Sequence, residues 1–173
     1  MPGNIVLVGF MGSGKTQVGK LLALRLGWPF VDTDELIEDR EGISIAEIFS
    51  RYGEAYFRQQ ERRVIEELAS RRRTVIATGG GAFIPKDSRE ILKRGNRVVW
   101  LRVRPETVLK RIGGSQDRPL LLGLSLAQVE SLLAQREPFY AEAHIHLEVD
   151  GKDPEEVARE IEEELKQWLE SSG

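Results

Sequence analysis

With 173 residues, 40% of them hydrophobic, the chain is sized for one domain with a real core, and its lack of cysteine excludes disulfides, thiol nucleophiles and Cys-ligated metals. Acidic residues number 28 against 25 basic ones, a net charge of −3 that argues against a broad nucleic-acid surface while leaving room for a local anion site. The longest apolar run, residues 120–126, is broken by Gly123 and Ser125, and the opening MPGNIVLVGF carries no basic leader, so a soluble, cytoplasmic, monomeric protein without membrane contact is expected.

The first strand pattern, residues 5–8, runs into GFMGSGKT at Gly9–Thr16, which fits G-x-x-x-x-G-K-[ST]. A helical pattern over 15–26 follows, with Val18, Leu21, Leu22 and Leu26 at its apolar positions. Strand, loop and helix in that order are the context a phosphate-binding loop needs. Glycines at 9, 12 and 14 let backbone N–H groups turn inward as an anion nest at a helix N-terminus. Lys15 can then reach β- and γ-phosphates, and the Thr16 hydroxyl can ligate Mg2+. The plain alternative is a glycine-rich turn. No Asn-Lys-x-Asp stretch is present to read guanine, which favours ATP. A small, net-acidic chain without a visible partner domain suits a small-molecule kinase better than a motor or switch.

A short strand over 29–31 leads into DTDE. Asp32 and Asp34 share a face if the chain stays extended there. Phosphoryl transfer needs one acid near the metal and often another to accept the hydroxyl proton, and the pair can divide those roles. The alternative is that Thr33 caps a helix whose N-terminus Asp34 and Glu35 favour. Helical patterns over 34–40, 45–51 and 54–72 stand where one crossover helix would suffice, and residues 33–61 read as an inserted subdomain. The third strand, 74–77, ends in TGGG. Such a strand often ends in a metal-holding aspartate, and here glycines stand instead. Strands over 97–101 and 145–149 and helices over 88–94, 105–112, 126–137 and 154–169 complete the alternation. Ser44/Glu47, Asp87/Glu90, Ser125/Gln128 and Asp153/Glu156 have capping-box spacing, and Pro154 suits a first helical position. Residues 112–124 lack a helix period and carry Gly113, Gly114, Pro119 and Gly123 around Arg118; they read as a lid with glycine hinges. The whole implies an α/β fold, a parallel sheet covered on both faces, with ligands at the carboxyl ends of its strands.

Taken together, these residues resemble the shikimate kinase family over nearly the whole chain. The matching segments are GFMGSGKT, the DTD of Asp32–Asp34, GEAYFRQQE at 53–61, TGGG at 78–81, RPLL at 118–121 and REPFY at 136–140. The phosphate loop alone is specific; the rest gain specificity by occurring in order. The resemblance implies phosphorylation of the shikimate 3-hydroxyl by ATP, in aromatic amino-acid biosynthesis. It implies a three-layer αβα kinase fold with a five-stranded parallel sheet in the order 2-3-1-4-5, as in nucleoside monophosphate kinases. By position it implies Lys15, Asp34 and Arg118 as catalytic residues. Gly12, Ser13, Gly14, Lys15, Thr16, Gln17, Arg111, Arg118 and Pro154 would contact ATP, and Thr16 and Asp32 would serve Mg2+, Asp32 through water. Asp34, Phe49, Phe57, Arg58, Gly79, Gly80, Gly81, Pro119, Leu120 and Arg136 would surround shikimate, with Arg58, Arg136 and the Gly80/Gly81 backbone on its carboxylate and ring. A side chain at Gly80 or Gly81 is then expected to obstruct a bulky cyclic substrate.

Helix periodicity alone does not choose Arg58 over Arg62; the resemblance does. One departure stands out: where the family places Ala-Asp before its last strand, this chain has Ala143-His144, then Ile145-His146. Those histidines share a strand face, as surface residues or, less simply, as metal ligands. Two alternatives to the main reading are a P-loop kinase of another hydroxy acid, such as gluconate, and a non-catalytic relative. The second should have lost Lys15, Asp34 or an arginine, and none is missing.

Overall fold

A computed structural model describes residues 3–112 and 123–171. In chain order the elements are β1 (Ile5–Val8), α1 (Lys15–Leu26), β2 (Phe30–Asp32), α2 (Thr33–Glu41), α3 (Ile45–Tyr52), α4 (Glu54–Ala69), β3 (Val75–Ala77), α5 (Lys86–Lys93), β4 (Arg97–Arg102), α6 (Pro105–Ile112), α7 (Leu126–Tyr140), β5 (Ile145–Glu148), α8 (Pro154–Glu164) and α9 (Lys166–Ser171). The five strands form one parallel sheet in the order β2-β3-β1-β4-β5, as expected. Among the described residues no helix is long and apolar enough to cross a membrane.

The all-apolar β1, IVLV, reflects burial on both faces. Ile5 and Leu7 pack into a core with Val18 and Leu22 of α1, Val108 of α6, Val129 of α7 and Ile161 of α8. Val6 and Val8 point to the other face, toward Ile37, Ile48, Ile65 and Leu68 of α2, α3 and α4, and Leu92 of α5. Leu7 pairs with Ala77, and Ala77 with Asp32, so the ends of three neighbouring strands are level. That edge is where parallel sheets bind ligands.

Four helices differ from the sequence pattern by two residues or more, each for a tertiary reason. The helical pattern through Arg72 stops at Ala69, because the Asn4 amide takes the carbonyls of Leu68 (3.2 Å) and Arg71 (2.9 Å) and Arg73 N–H donates to Gly3. α5 begins at Lys86, before the Asp87/Glu90 pair, whose Asp87 instead accepts from Arg62 at 2.6 Å. α7 passes through Pro138 to Tyr140, although proline removes one helical donor. The Tyr140 ring, fully buried and 5.7 Å from Trp100, anchors that extra turn. The last helical pattern divides at Leu165, which is 2% exposed and turns into the core. Ser44, Ser125 and Asp153 each accept the N–H three residues on, but only Ser125/Gln128 closes the reciprocal capping box, Gln128 accepting from Ser125 N–H at 2.8 Å.

Asn4 is the tie at the opposite edge. Besides its two donations, its carbonyl accepts from Thr74 N–H and its own N–H donates to Asn96. Asn4→Ala is therefore expected to lower stability by about 2–3 kcal/mol, since it strands buried backbone groups. Chemical denaturation measures this, and turnover at low temperature should stay at the wild-type level.

Candidate active site

The loop after β1 is shaped by its glycines. Gly9 has φ +148° and a Cβ there would stand 2.7 Å from the Leu101 carbonyl; Gly14, at φ +86°, opens α1 in the left-handed region. Lys15, largely buried, directs Nζ at the carbonyls of Gly9 (2.6 Å) and Phe10 (3.0 Å). Arg111 arrives from α6 and donates to the Gly12 carbonyl at 2.7 Å. Buried Ser13 Oγ has no hydrogen-bond partner among the described residues. Backbone N–H groups, an ammonium and a guanidinium thus gather at one helix N-terminus, the composition of a polyphosphate site.

β2 delivers the acid pair, and its two members do different things. Asp32, not Thr33, is the α2 N-cap: Oδ1 accepts from Asp34 N–H (2.9 Å) and Glu35 N–H (3.1 Å). Oδ2 accepts from Thr16 Oγ1 at 2.6 Å, so a hydroxyl and a carboxylate sit side by side at the phosphate loop. Those hard oxygen donors fit Mg2+, which takes few protein ligands and keeps its waters. Thr33 reaches β3 instead, accepting from Gly79 N–H at 3.1 Å. Asp34 points inward and its Oδ1 is buried without a partner. Burial, followed by the negative charges of Glu61 and Asp32, pushes its pKa up to about 7 against the pull of Lys15 and Arg58.

The glycine run after β3 has a spatial logic. None of Gly79, Gly80 and Gly81 is in the left-handed region, so conformation does not demand glycine there; space does. A Cβ on Gly79 would lie 2.7 Å from Asp34 Oδ1, and one on Gly81 would lie 2.6 Å from Arg58 Nη2. One on Gly80 would be 3.2 Å from Met11 and 3.4 Å from Arg136 Nη1. A side chain here would first displace the protein's own charged groups, before meeting any ring.

Arg58 comes from α4 and Arg136 from α7. Arg58 stacks over Phe57 at 5.2 Å and bonds Glu61 Oε1 at 2.8 Å; Arg136 stacks over Phe10 at 5.2 Å and reaches the Gly80 carbonyl at 3.4 Å. Phe57 is only 4% exposed and packs on the less buried Phe49 at 4.9 Å, so it backs the guanidinium from the core side. Gln17 is exposed on the first turn of α1, and Pro154 opens α8 behind the Asp153 cap. Arg118, Pro119 and Leu120, with most of the expected lid, lie outside the described residues.

Two members of the site carry no role in the sequence reading. Glu61, 2% exposed, follows Arg58 by one helical turn and has Oε2 without a partner; burial raises its pKa although Arg58 and Arg136 oppose this. Tyr140 follows Arg136 by one turn and donates its hydroxyl to the Gly80 carbonyl. The signal for both was an i,i+3 or i,i+4 offset from an arginine. The histidines part company. His144 Nδ1 accepts from Val98 N–H at 2.9 Å, and burial, then Arg97 and Lys93, lowers its pKa. His146 lies edge-on to Trp100 with Nε2 2.9 Å from the Ala141 carbonyl.

Known proteins supply an independent comparison. A family profile described as "Shikimate kinase" matches residues 11–166. A shikimate kinase of Moorella thermoacetica is 55% identical over 171 residues, covering 99% of both chains, and one of Symbiobacterium thermophilum is 48% identical over 168 residues, covering 95% of this chain and 97% of that one. The solved structure of a shikimate kinase from Acinetobacter baumannii in complex with shikimate superposes with a TM-score of 0.91 at 40% identity, over 96% of this chain and 95% of that one.

The electrostatics of Asp34 have a sign that can be measured. An acid whose pKa is raised on folding costs stability at every pH above its unfolded value; the cost grows until pH passes the folded value of about 7 and vanishes once both states are protonated. Asp34→Asn is thus expected to raise the thermal midpoint by a few degrees at pH 8, with the gain shrinking toward pH 5. Melting curves across that range test it, and a gain independent of pH counts against a buried, ionisable Asp34.

Proposed function

Because the chain belongs to the shikimate kinase family, it is an ATP-dependent kinase that phosphorylates the shikimate 3-hydroxyl to give shikimate 3-phosphate and ADP, and we propose that the carboxyl edge of β1, β2 and β3 carries the reaction. The single observation that supports this most is the triple approach to the glycine run: Asp34, Arg136 and Arg58 each stand against one of three consecutive glycines, next to the phosphate loop. One hydroxyl-directed acid and two carboxylate-directed guanidinium groups suit a compact ring bearing both functions.

The phosphate loop and Lys15 hold the β- and γ-phosphates, with Arg111 at the loop's flank and Gln17 and Pro154 toward the rest of the nucleotide. Thr16 and Asp32 would hold Mg2+, which would supply charge neutralisation on the phosphates. Arg58 and Arg136 grip the carboxylate, since a planar guanidinium offers paired donors that a lysine lacks. The Gly80 and Gly81 backbone and Phe49 close the ring's other sides. Asp34 aligns the 3-hydroxyl and takes its proton. A carboxyl with a pKa near 7 is poised for that transfer, while positioning contributes most in a loose transition state. Residues 33–61 form the acceptor subdomain of a single domain, while the lid over 112–124 and the roles expected of Arg118, Pro119 and Leu120 fall on residues that are for the most part outside those described. The protein works as a cytoplasmic monomer without nucleic-acid or membrane partners; light scattering behind size-exclusion chromatography tests the monomer.

A coupled ADP-release assay with ATP, Mg2+ and either shikimate, gluconate or nucleoside monophosphates is the direct check. Turnover is expected with shikimate only, and gluconate-dependent turnover would favour the hydroxy-acid alternative. Asp34→Asn is expected to lose about 10²–10⁴-fold in kcat while ATP still binds. Gly79→Ala should mimic much of that loss by displacing the Asp34 carboxylate. Arg136→Lys should raise the shikimate KM by about tenfold or more, leaving the ATP KM near its original value.

A further inference from the structure

Given the carboxylate clamp proposed above, on which this rests, we propose that Tyr140 is a positioning residue of the acceptor pocket: its hydroxyl takes the close bond to the Gly80 carbonyl, which leaves Arg136 only a long contact there and able to turn to the substrate carboxylate, and it fixes the Gly80–Gly81 peptide.

Arg136 and Tyr140 lie one turn apart on α7 and converge on the same oxygen. The Tyr140 hydroxyl makes the close contact, and Arg136 Nη1 stands at 3.4 Å. Without the hydroxyl, the guanidinium is the remaining one of these two donors. A buried carbonyl draws whatever donor is at hand. Arg136 would then be pulled onto the protein backbone and away from an incoming carboxylate.

The peptide between Gly80 and Gly81 adds a second consequence. In a planar trans peptide the carbonyl and the following N–H point in opposite directions. Holding the Gly80 carbonyl toward α7 aims the Gly81 N–H away from α7. A peptide flanked by two glycines has no side chain to prevent its rotation, so an external restraint is needed.

Tyr140 is built for that restraint. It is fully buried, its ring lies 5.7 Å from Trp100, and α7 continues through Pro138 to carry it there. Burial pushes its pKa up to about 12, so the phenol stays a donor throughout the working range. A buried phenol also needs a partner, and the Gly80 carbonyl serves as one.

Tyr140→Phe removes the hydroxyl and keeps the ring. The expected result is a shikimate KM raised about tenfold, an ATP KM within about twofold, and a smaller change in kcat. Val157→Ala, buried on the opposite sheet face, is the stability control: it should lower the melting temperature and leave both KM values alone. Combined with Arg136→Lys, Tyr140→Phe should add less than its separate effect, because both act on one clamp. All kinetics are taken well below each variant's own melting temperature. An unchanged shikimate KM in Tyr140→Phe, equal rises in both KM values, or fully additive effects in the double variant would each overturn the positioning role. If Arg136→Lys alone leaves the shikimate KM unchanged, the clamp is wrong. If Arg136→Lys weakens shikimate and Tyr140→Phe does not, the clamp stands and only the role of Tyr140 falls.

Discussion

Three consecutive residues without side chains let a carboxylate and two guanidinium groups close on the end of β3. Everything else in the acceptor site follows from that space. Asp34 comes from the first turn of α2, Arg58 from α4 and Arg136 from the last turns of α7; the first two crowd the space of a Cβ on Gly79 and Gly81, and Arg136 borders that of Gly80 beside Met11. The parallel register makes the meeting possible, because it levels the ends of β1, β2 and β3. The helices that cover the two sheet faces then deliver their polar tips to one edge.

Holding such groups out of water is costly unless they are paired. The pairing here is incomplete in a telling way. Among the described residues, the buried side-chain atoms without a hydrogen-bond partner are Ser13 Oγ, Asp34 Oδ1 and Glu61 Oε2. One belongs to the phosphate loop and two to the acceptor corner. The other buried polar side-chain atoms of the described residues are bonded, as the contacts of Asn4 with Asn96, Thr74, Leu68 and Arg71 illustrate. Unsatisfied polar groups gathered at one edge mark where the fold keeps capacity for ligands rather than for its own stability.

The division of labour between Asp32 and Asp34 shows how much two residues of separation can matter. Asp32 caps α2 with one oxygen and holds Thr16 with the other, so it couples the α2 start to the phosphate loop. Asp34 sits deeper, near Lys15 and Arg58 but with no donor on Oδ1, and its proton affinity rises accordingly. One acid is committed to the helix start and the phosphate loop; the other keeps a buried oxygen unpaired among the described residues.

Much of this was readable in the residues themselves. GFMGSGKT after an apolar strand has few physical solutions, because glycine, lysine and a hydroxyl at those spacings suit a phosphate nest. The strand and helix alternation follows from local apolar patterning, and the paired carboxylates announce themselves by type and spacing. What local pattern could not supply was contact between distant segments. α4 ends at Ala69 because Asn4 takes the carbonyls of Leu68 and Arg71, and α7 outruns Pro138 because Tyr140 finds a core to fill. The choice of Arg58 rested on resemblance, since Arg62 has the same helical setting and instead pairs with Glu66 and Asp87 at the surface. The glycine run was legible as room for something; only tertiary structure showed that Asp34, Met11 with Arg136, and Arg58 stand against its three positions. Sequence by itself determined chemistry and order, which are local properties of the chain. Tertiary structure decided which groups share a dry corner, because burial and proximity exist only after the chain has folded.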